Sequence, residues 1–306
     1  MKYMSISEAS IKWKISDRRI RVLCKEGRIE GAVKFGRNWS IPYDATKPAD
    51  ARISQNKTYK GIAYDFGRID DMKRKIDLHR PFSKRLANSL HEKLVIEWTY
   101  NSNAIEGNTL TLSETKIVLE GITIGGKSVV EHLEVINHRE AILFLEEMIN
   151  NNEPLSEWNI KSIHALILKE IDNQNAGRYR MENVVIGGAV HIPPKHYEIY
   201  SLMQNLILEY NEEWKSYHPV LRATLLHGEF LKIHPFIDGN GRTSRLLLNF
   251  ELMKNGYTPI IIKKENRAEY YNVLDHAHTT MDYHPFLKFV AKLVTESEQM
   301  WLSLLE

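Results

Sequence analysis

The sequence predicts a mainly α-helical protein with a small basic unit of two short helices and a β-hairpin at its N-terminal end. Three observations lead there. Apolar residues recur at helical spacing, with capping residues between the runs, over most of residues 83–304. Charge is unevenly spread: residues 1–60 hold 14 Lys and Arg against 6 Asp and Glu, so the overall +2 conceals +8 there and −6 in the remainder. One β-rich stretch, VVIGGAVHI at 184–192, interrupts the helical texture. With 306 residues, 43% hydrophobic and 26% charged, the composition is that of an ordinary globular protein with room for two domains. No apolar run approaches the roughly 18 to 20 residues of a membrane span, and MKYMSISEAS has no signal-peptide core, so a cytoplasmic protein without a membrane anchor is expected. The single cysteine, Cys24, cannot close an internal disulfide and reads as a small core residue.

Taken in order, Ser5 and Glu8 have capping-box spacing ahead of Ile6, Ala9 and Trp13, which predicts a first short helix. Ser16 can cap a second, ended by Gly27, that carries Arg18, Arg19, Arg21 and Lys25 around Ile20 and Leu23. Residues 29–41, with a turn at Gly36-Arg37-Asn38, predict a hairpin wing. Over about 50 residues this pattern resembles the winged helix-turn-helix modules of excisionase and MerR type. The basic balance points to DNA, with the second helix in the major groove and Lys34 and Arg37 on phosphates. Useful affinity then requires a homodimer reading two half-sites. Residues 1–50 are assigned to this unit, 51–65 to a polar linker and 66–306 to the main domain. Within the main domain helices are expected over 83–100, 112–122, 130–150, 156–170, 197–214, 219–233, 241–255, 265–280 and 284–304.

The runs Val184-Val185-Ile186 and Ala189-Val190-His191-Ile192 flank Gly187-Gly188, which predicts a hairpin. A lone hairpin leaves an open edge, which is either covered by the fold or used to capture an extended peptide. Gly121-Ile-Thr-Ile-Gly-Gly126-Lys-Ser128 fits the phosphate-loop spacing but follows no strand, and is set aside on that ground.

Residues 233–245, IHPFIDGNGRTSR, concentrate the chemistry. Glycines bracketing Asn240 and leading into an apolar run suggest a tight loop feeding a helix start, where free N–H groups and the helix dipole favour phosphate. Arg242 and Arg245 share a helical face and can fork onto phosphate oxygens. Asp238 is the single carboxylate that magnesium needs beside phosphates, and His234 can take a proton near neutral pH.

This segment resembles the signature of the Fic family, His-x-Phe-x-Asp/Glu-Gly-Asn-Gly-Arg-x-x-Arg, with every fixed position filled. The resemblance spans about residues 60–300. It includes Gly177-Arg-Tyr-Arg180 with the Gly-Gly stretch, similar to the family's target-docking flap, and Ser102-Asn-Ala-Ile-Glu106-Gly107, similar to its inhibitory motif on a helix near 95–107. It implies a helical Fic fold and transfer of AMP from ATP, with Mg2+, to a Ser, Thr or Tyr hydroxyl of a protein, the protein itself included. In that reading His234 is the base and Asp238 holds the metal. Gly239, Asn240 and Gly241 form an anion hole, Arg242 and Arg245 meet the β- and γ-phosphates, and Phe236 anchors the loop. Glu106 would restrain the enzyme by occupying Arg245. Val184, Val185, Ile186, Gly187, Gly188 and Val190 would dock the target strand through main-chain bonds. The alternatives are removal of AMP, transfer of another phosphate-containing group, and a DNA-binding regulator whose Fic core senses a ligand.

Overall fold

The computed structural model describes residues 3–13, 15–25, 29, 31–36, 38–47, 59 and 62–305, without the side chain of Arg19. Its contacts divide the chain into two compact units, Met1–Thr58 and Tyr59–Glu306. Gly27 and Arg37, named above as helix end and wing tip, lie outside the described residues, as does most of the linker.

In the first unit, helices α1 (Ile6–Trp13) and α2 (Asp17–Lys25) accompany strands β1 (Tyr3–Met4), β2 (Val33–Phe35) and β3 (Asn38–Pro42). The Ser5–Glu8 box is formed: the Ser5 N–H donates to the Glu8 carboxylate at 2.7 Å and the Glu8 N–H to Ser5 Oγ at 3.2 Å. Strand β3 pairs antiparallel with both β2 and β1, giving the order β1-β3-β2, of which the sequence reading anticipated only the β2–β3 hairpin. Met4, Ala9, Trp13, Ile20, Leu23, Cys24, Ile29 and Ile41 form the core, so Cys24 is a packing residue.

The second unit contains, among the described residues, α3 (Gly67–Asp77), α4 (Lys84–Glu106), α5 (Leu112–Leu119), α6 (Val129–Asn150), α7 (Glu157–Ile167), α8 (Ile199–Leu208), α9 (Pro219–Ile233), α10 (Asn240–Lys254), α11 (Arg267–Thr280) and α12 (His284–Leu305). Helices α9 and α10 form the central pair. They are buried on nearly all sides, as the apolar run Leu246-Leu247-Leu248-Asn249-Phe250 demands, and α4, α6, α7, α11 and α12 pack around them. Caps set the limits: Ser83 accepts from Leu86 N–H ahead of α4, and capping boxes Thr111/Glu114 and Ser128/Glu131 open α5 and α6. Helix α3 escaped the sequence reading, and the helix expected over 197–214 breaks at Leu208 into a wider turn. Tyr59, Ile62 and Tyr64, placed in the linker by sequence, pack into this unit's core; Tyr59 donates to Glu229 at 2.6 Å.

The strand pairing expected across 184–192 does not form. Gly187-Gly188 does turn the chain, with Ala189 N–H donating to Ile186 O at 3.3 Å, but no ladder follows. The reason is competition. The N–H groups of Val190 and His191 donate instead to the Asp275 carboxylate of α11, at 2.9 to 3.1 Å, which leaves an extended loop tied down on one limb.

Candidate active site

The site is built where α9 ends and α10 begins. His234 closes α9 in the left-handed conformation (φ 50°, ψ 61°), its N–H donating to Phe230 O. That turn throws the next residues across the N-terminus of α10. Asn240 fixes the loop: its side-chain oxygen accepts from Phe236 N–H at 3.0 Å and its amide donates to Phe236 O at 2.9 Å. Phe236 is fully buried and stacks on His164 at 3.6 Å, as its anchoring role requires. Gly239 has φ 75°, and a Cβ there would stand 3.1 Å from the His164 ring, so both conformation and space call for glycine.

The anion hole differs from expectation in one respect. The Gly239 N–H donates to the Asp238 carboxylate at 2.6 Å, so Gly239 supplies geometry rather than a free donor. The first-turn N–H groups of α10, on Asn240, Gly241 and Arg242, have no preceding turn to bond to and carry the positive end of the helix dipole. Two more donors, Arg242 Nε and Arg245 Nη1, are buried without a hydrogen-bond partner, and Nη1 lies 3.0 Å from where a Gly241 Cβ would stand. Buried guanidinium donors left open beside a helix N-terminus fit an anion.

Both arginines are otherwise held. Arg242 pairs with Glu134 at 2.9 Å and Asp238 at 3.2 Å. Arg245 donates from Nε to Ser102 Oγ at 3.0 Å, and from Nη2 to Ser102 O at 2.8 Å and Glu106 Oε1 at 2.7 Å. Burial opposes the charge on Arg245, but the Glu106 carboxylate, with Tyr270 and Tyr271, outweighs it, and the pKa is raised. Gly241 makes room for this pair, since a Cβ there would lie 2.1 Å from a Glu106 oxygen. Gly107, just past α4, has φ 108° and ends the helix so that Glu106 faces the site.

Burial and the nearby Arg180 guanidinium push the pKa of His234 down to about 4, so its ring is neutral at physiological pH. The Asp238 side chain is 67% exposed, whereas that of Arg242 is 2% exposed. An exposed hard oxygen next to free anion donors suits magnesium shared with phosphates. Outside this loop, Lys127 of the phosphate-loop look-alike donates to Thr109 O at 2.7 Å and Glu131 fills the N-terminus of α6, so that stretch offers phosphate no cradle.

Residues 154–252 match the Fic/DOC family. A Fic-domain signalling protein from Bacteroides thetaiotaomicron superposes with a TM-score of 0.71 at 31% identity, over 78% of this chain and 97% of the other. The chain belongs to the Fic/DOC family. Fic-1 from C. elegans is similar as well, with a TM-score of 0.70 at 33% identity over 77% of this chain and 70% of that one. The protein adenylyltransferase Fic of Drosophila willistoni is 38% identical over 205 residues, 66% of this chain. The chain spans about two fifths, 41%, of that relative's length.

Around the Fic signature stand His164 and Glu134, which the sequence did not mark, and Arg180, which it placed only at the end of the Gly177–Arg180 stretch. His164 donates from Nε2 to Asp238 O at 2.8 Å and accepts from Gly177 N–H at Nδ1, at 2.9 Å; burial lowers its pKa to about 4, which keeps that tautomer neutral. Arg180, 2% exposed, donates to His234 O, Glu182 O and Pro194 O at 2.6 to 2.8 Å, bracing His234 and both feet of the 184–192 loop together. Glu134 joins Arg242 to Asn108, just past Gly107 at the end of α4. Ile186, Gly187, Gly188 and Glu106 line a cleft of about 380 Å³ that reaches His234 and Gly241. Val190 does not offer its N–H there, since Asp275 holds it, and the Ile186 carbonyl is taken by Ala189 N–H in the turn.

Proposed function

We propose that the chain is a self-restrained protein adenylyltransferase that moves AMP from Mg-ATP to a hydroxyl of a protein. The observation that carries this reading is the Glu106–Arg245 pair at the mouth of an anion site already supplied with free helix N–H groups and open guanidinium donors. The names of the adenylyltransferase relatives support the same reading. Neutral His234 takes the proton from the target hydroxyl as its oxygen bonds to the α-phosphorus, and the bond from that phosphorus to the bridging oxygen breaks to release pyrophosphate. The α10 N-terminus, Arg242 and Arg245 hold the phosphate oxygens in line. Asp238 would hold Mg2+, whose charge neutralises the phosphates when bound.

Glu106 competes with the γ-phosphate for Arg245, so ATP binds with its α-phosphate out of line and transfer is slow. The limb 184–186 presents the target strand. The first unit is a DNA-binding module, a reading supported by Arg18, Arg21 and Lys25, which lie exposed on α2, and by exposed Lys34 on β2.

ATP tagged on the α-phosphate tests the reaction class. Protein should become labelled from the α-tag and not from a γ-tag; label arriving from the γ-position would make the chain a kinase and overturn the reading.

A further inference from the structure

We propose that Arg267 is a positioning residue for the inhibitory carboxylate: its guanidinium closes the C-terminal end of α4 and so sets where Glu106 stands. The proposal rests on the self-restraint reading above and names a second residue that enforces it.

A helix leaves its last carbonyls without intrahelical donors. In α4 two of them are closed by the chain that follows: Asn108 N–H donates to Asn103 O at 3.1 Å and Gly107 N–H to Ala104 O at 3.2 Å, with Gly107 left-handed. The next carbonyl is that of Ile105, a fully buried residue. Its donor comes from far along the chain, Arg267 Nε–H at 2.8 Å. Arg267 opens α11, and its guanidinium lies 4.8 Å from the Tyr271 ring centroid, a stack that fixes the direction of its N–H groups. A cation at this helix end also meets the negative pole of the dipole.

Glu106 is one residue beyond Ile105, so the geometry of that last turn decides whether its carboxylate reaches Arg245. Helix ends fray unless they are tied. The other side of the turn is tied to α6, through Asn103 to Glu134 O at 3.3 Å and Asn108 to Glu131 O at 3.0 Å. Arg267 and Tyr271 tie it on the cleft side, where they line the same cavity as Glu106. Arg267 is therefore the tie that an occupant of the cleft can reach.

Four full-length proteins decide the matter: wild type, Arg267→Ala, Glu106→Gly and the double variant, each incubated with α-tagged Mg-ATP and read as label on the protein itself. Arg267→Ala should raise labelling about fivefold, the worth of one hydrogen bond, and by less than Glu106→Gly. In the double variant Arg267→Ala should add nothing. Arg267→Lys, which can still donate to the carbonyl, should restore restraint. Amide hydrogen exchange supplies a readout independent of chemistry: exchange over residues 103–108 should quicken in Arg267→Ala and recover in Arg267→Lys. Unchanged exchange, or quickened exchange without increased labelling, overturns the proposal. So does a double variant weaker than Glu106→Gly, which would make Arg267 a substrate contact. If Glu106→Gly itself takes no label, the transfer reading fails, while the exchange data still decide whether Arg267 holds the helix end.

Discussion

A non-glycine residue at φ 50° is uncommon, and His234 keeps that conformation because Arg180 holds its carbonyl and the Phe230 carbonyl holds its N–H. The signature marks His234, and the Gly177–Arg180 stretch was read as part of the flap; the bond from Arg180 to the His234 carbonyl was not legible, because the two lie 54 positions apart. His164 was missed for the same reason. Its ring nitrogens bridge Asp238 and Gly177, and neither spacing nor periodicity connects those residues. His234→Ala should abolish transfer while leaving Mg-ATP affinity nearly unchanged, because the ring meets the hydroxyl and the phosphate donors are elsewhere. The depressed pKa of His234, about 4, fixes the sign of the pH response. An ordinary histidine with pKa about 6.5 would lose the base form as pH falls through 6.5, whereas here the free enzyme keeps it down to about 4. Thus kcat/KM for transfer should stay level from pH 7.5 to about 5.5. A tenfold fall over that range, with the protein still folded, would show another group to be the base.

At the scale of the element, bonds to helix α11 explain why the loop 184–192 departs from the expected hairpin. The β-rich runs around Gly187-Gly188 predicted a paired hairpin, but one carboxylate took the two N–H groups that the ladder needed. Strand propensity describes fit to a pleated surface and cannot see an acceptor on a helix some 85 residues away. The helices were more legible: the limits of α9, α10 and α12 match the apolar spacing closely, because each has a clear stop or cap in the sequence. Helix α3 has no such advantage, following directly on Ile62, Tyr64 and Phe66, which pack as irregular chain. The tied limb makes a directional prediction. In the Glu106→Gly background, Val185→Pro should reduce labelling of acceptor proteins in a lysate by about tenfold, one or two main-chain bonds, with Mg-ATP affinity unchanged. Undiminished labelling of the lysate by Val185→Pro would remove the 184–186 limb as the docking edge.

For the whole molecule, charge is split between a basic and an acidic part, and contacts divide the chain between Thr58 and Tyr59, inside the segment read as a linker. The basic unit's small size leaves few contacts to DNA, so binding should appear as a salt-sensitive gel shift that deletion of residues 1–50 abolishes. A shift surviving that deletion would assign the unit to protein docking instead. The larger unit brings together what is dispersed in the chain. Glu106 from α4, Glu134 from α6, His234 after α9 and both arginines from α10 meet at one helix start. The signature announced the last three, and the six-residue motif set Glu106 against Arg245 by resemblance; the fold adds Glu134 on Arg242 and the two Ser102 contacts on Arg245. Intact-mass measurement after incubation with Mg-ATP reads the proposed restraint without any label. The Glu106→Gly protein should gain the mass of one or more adenylates while wild type gains little, and the gain should vanish in Glu106→Gly/His234→Ala. Equal gains in wild type and Glu106→Gly, or no gain in either, would contradict the account.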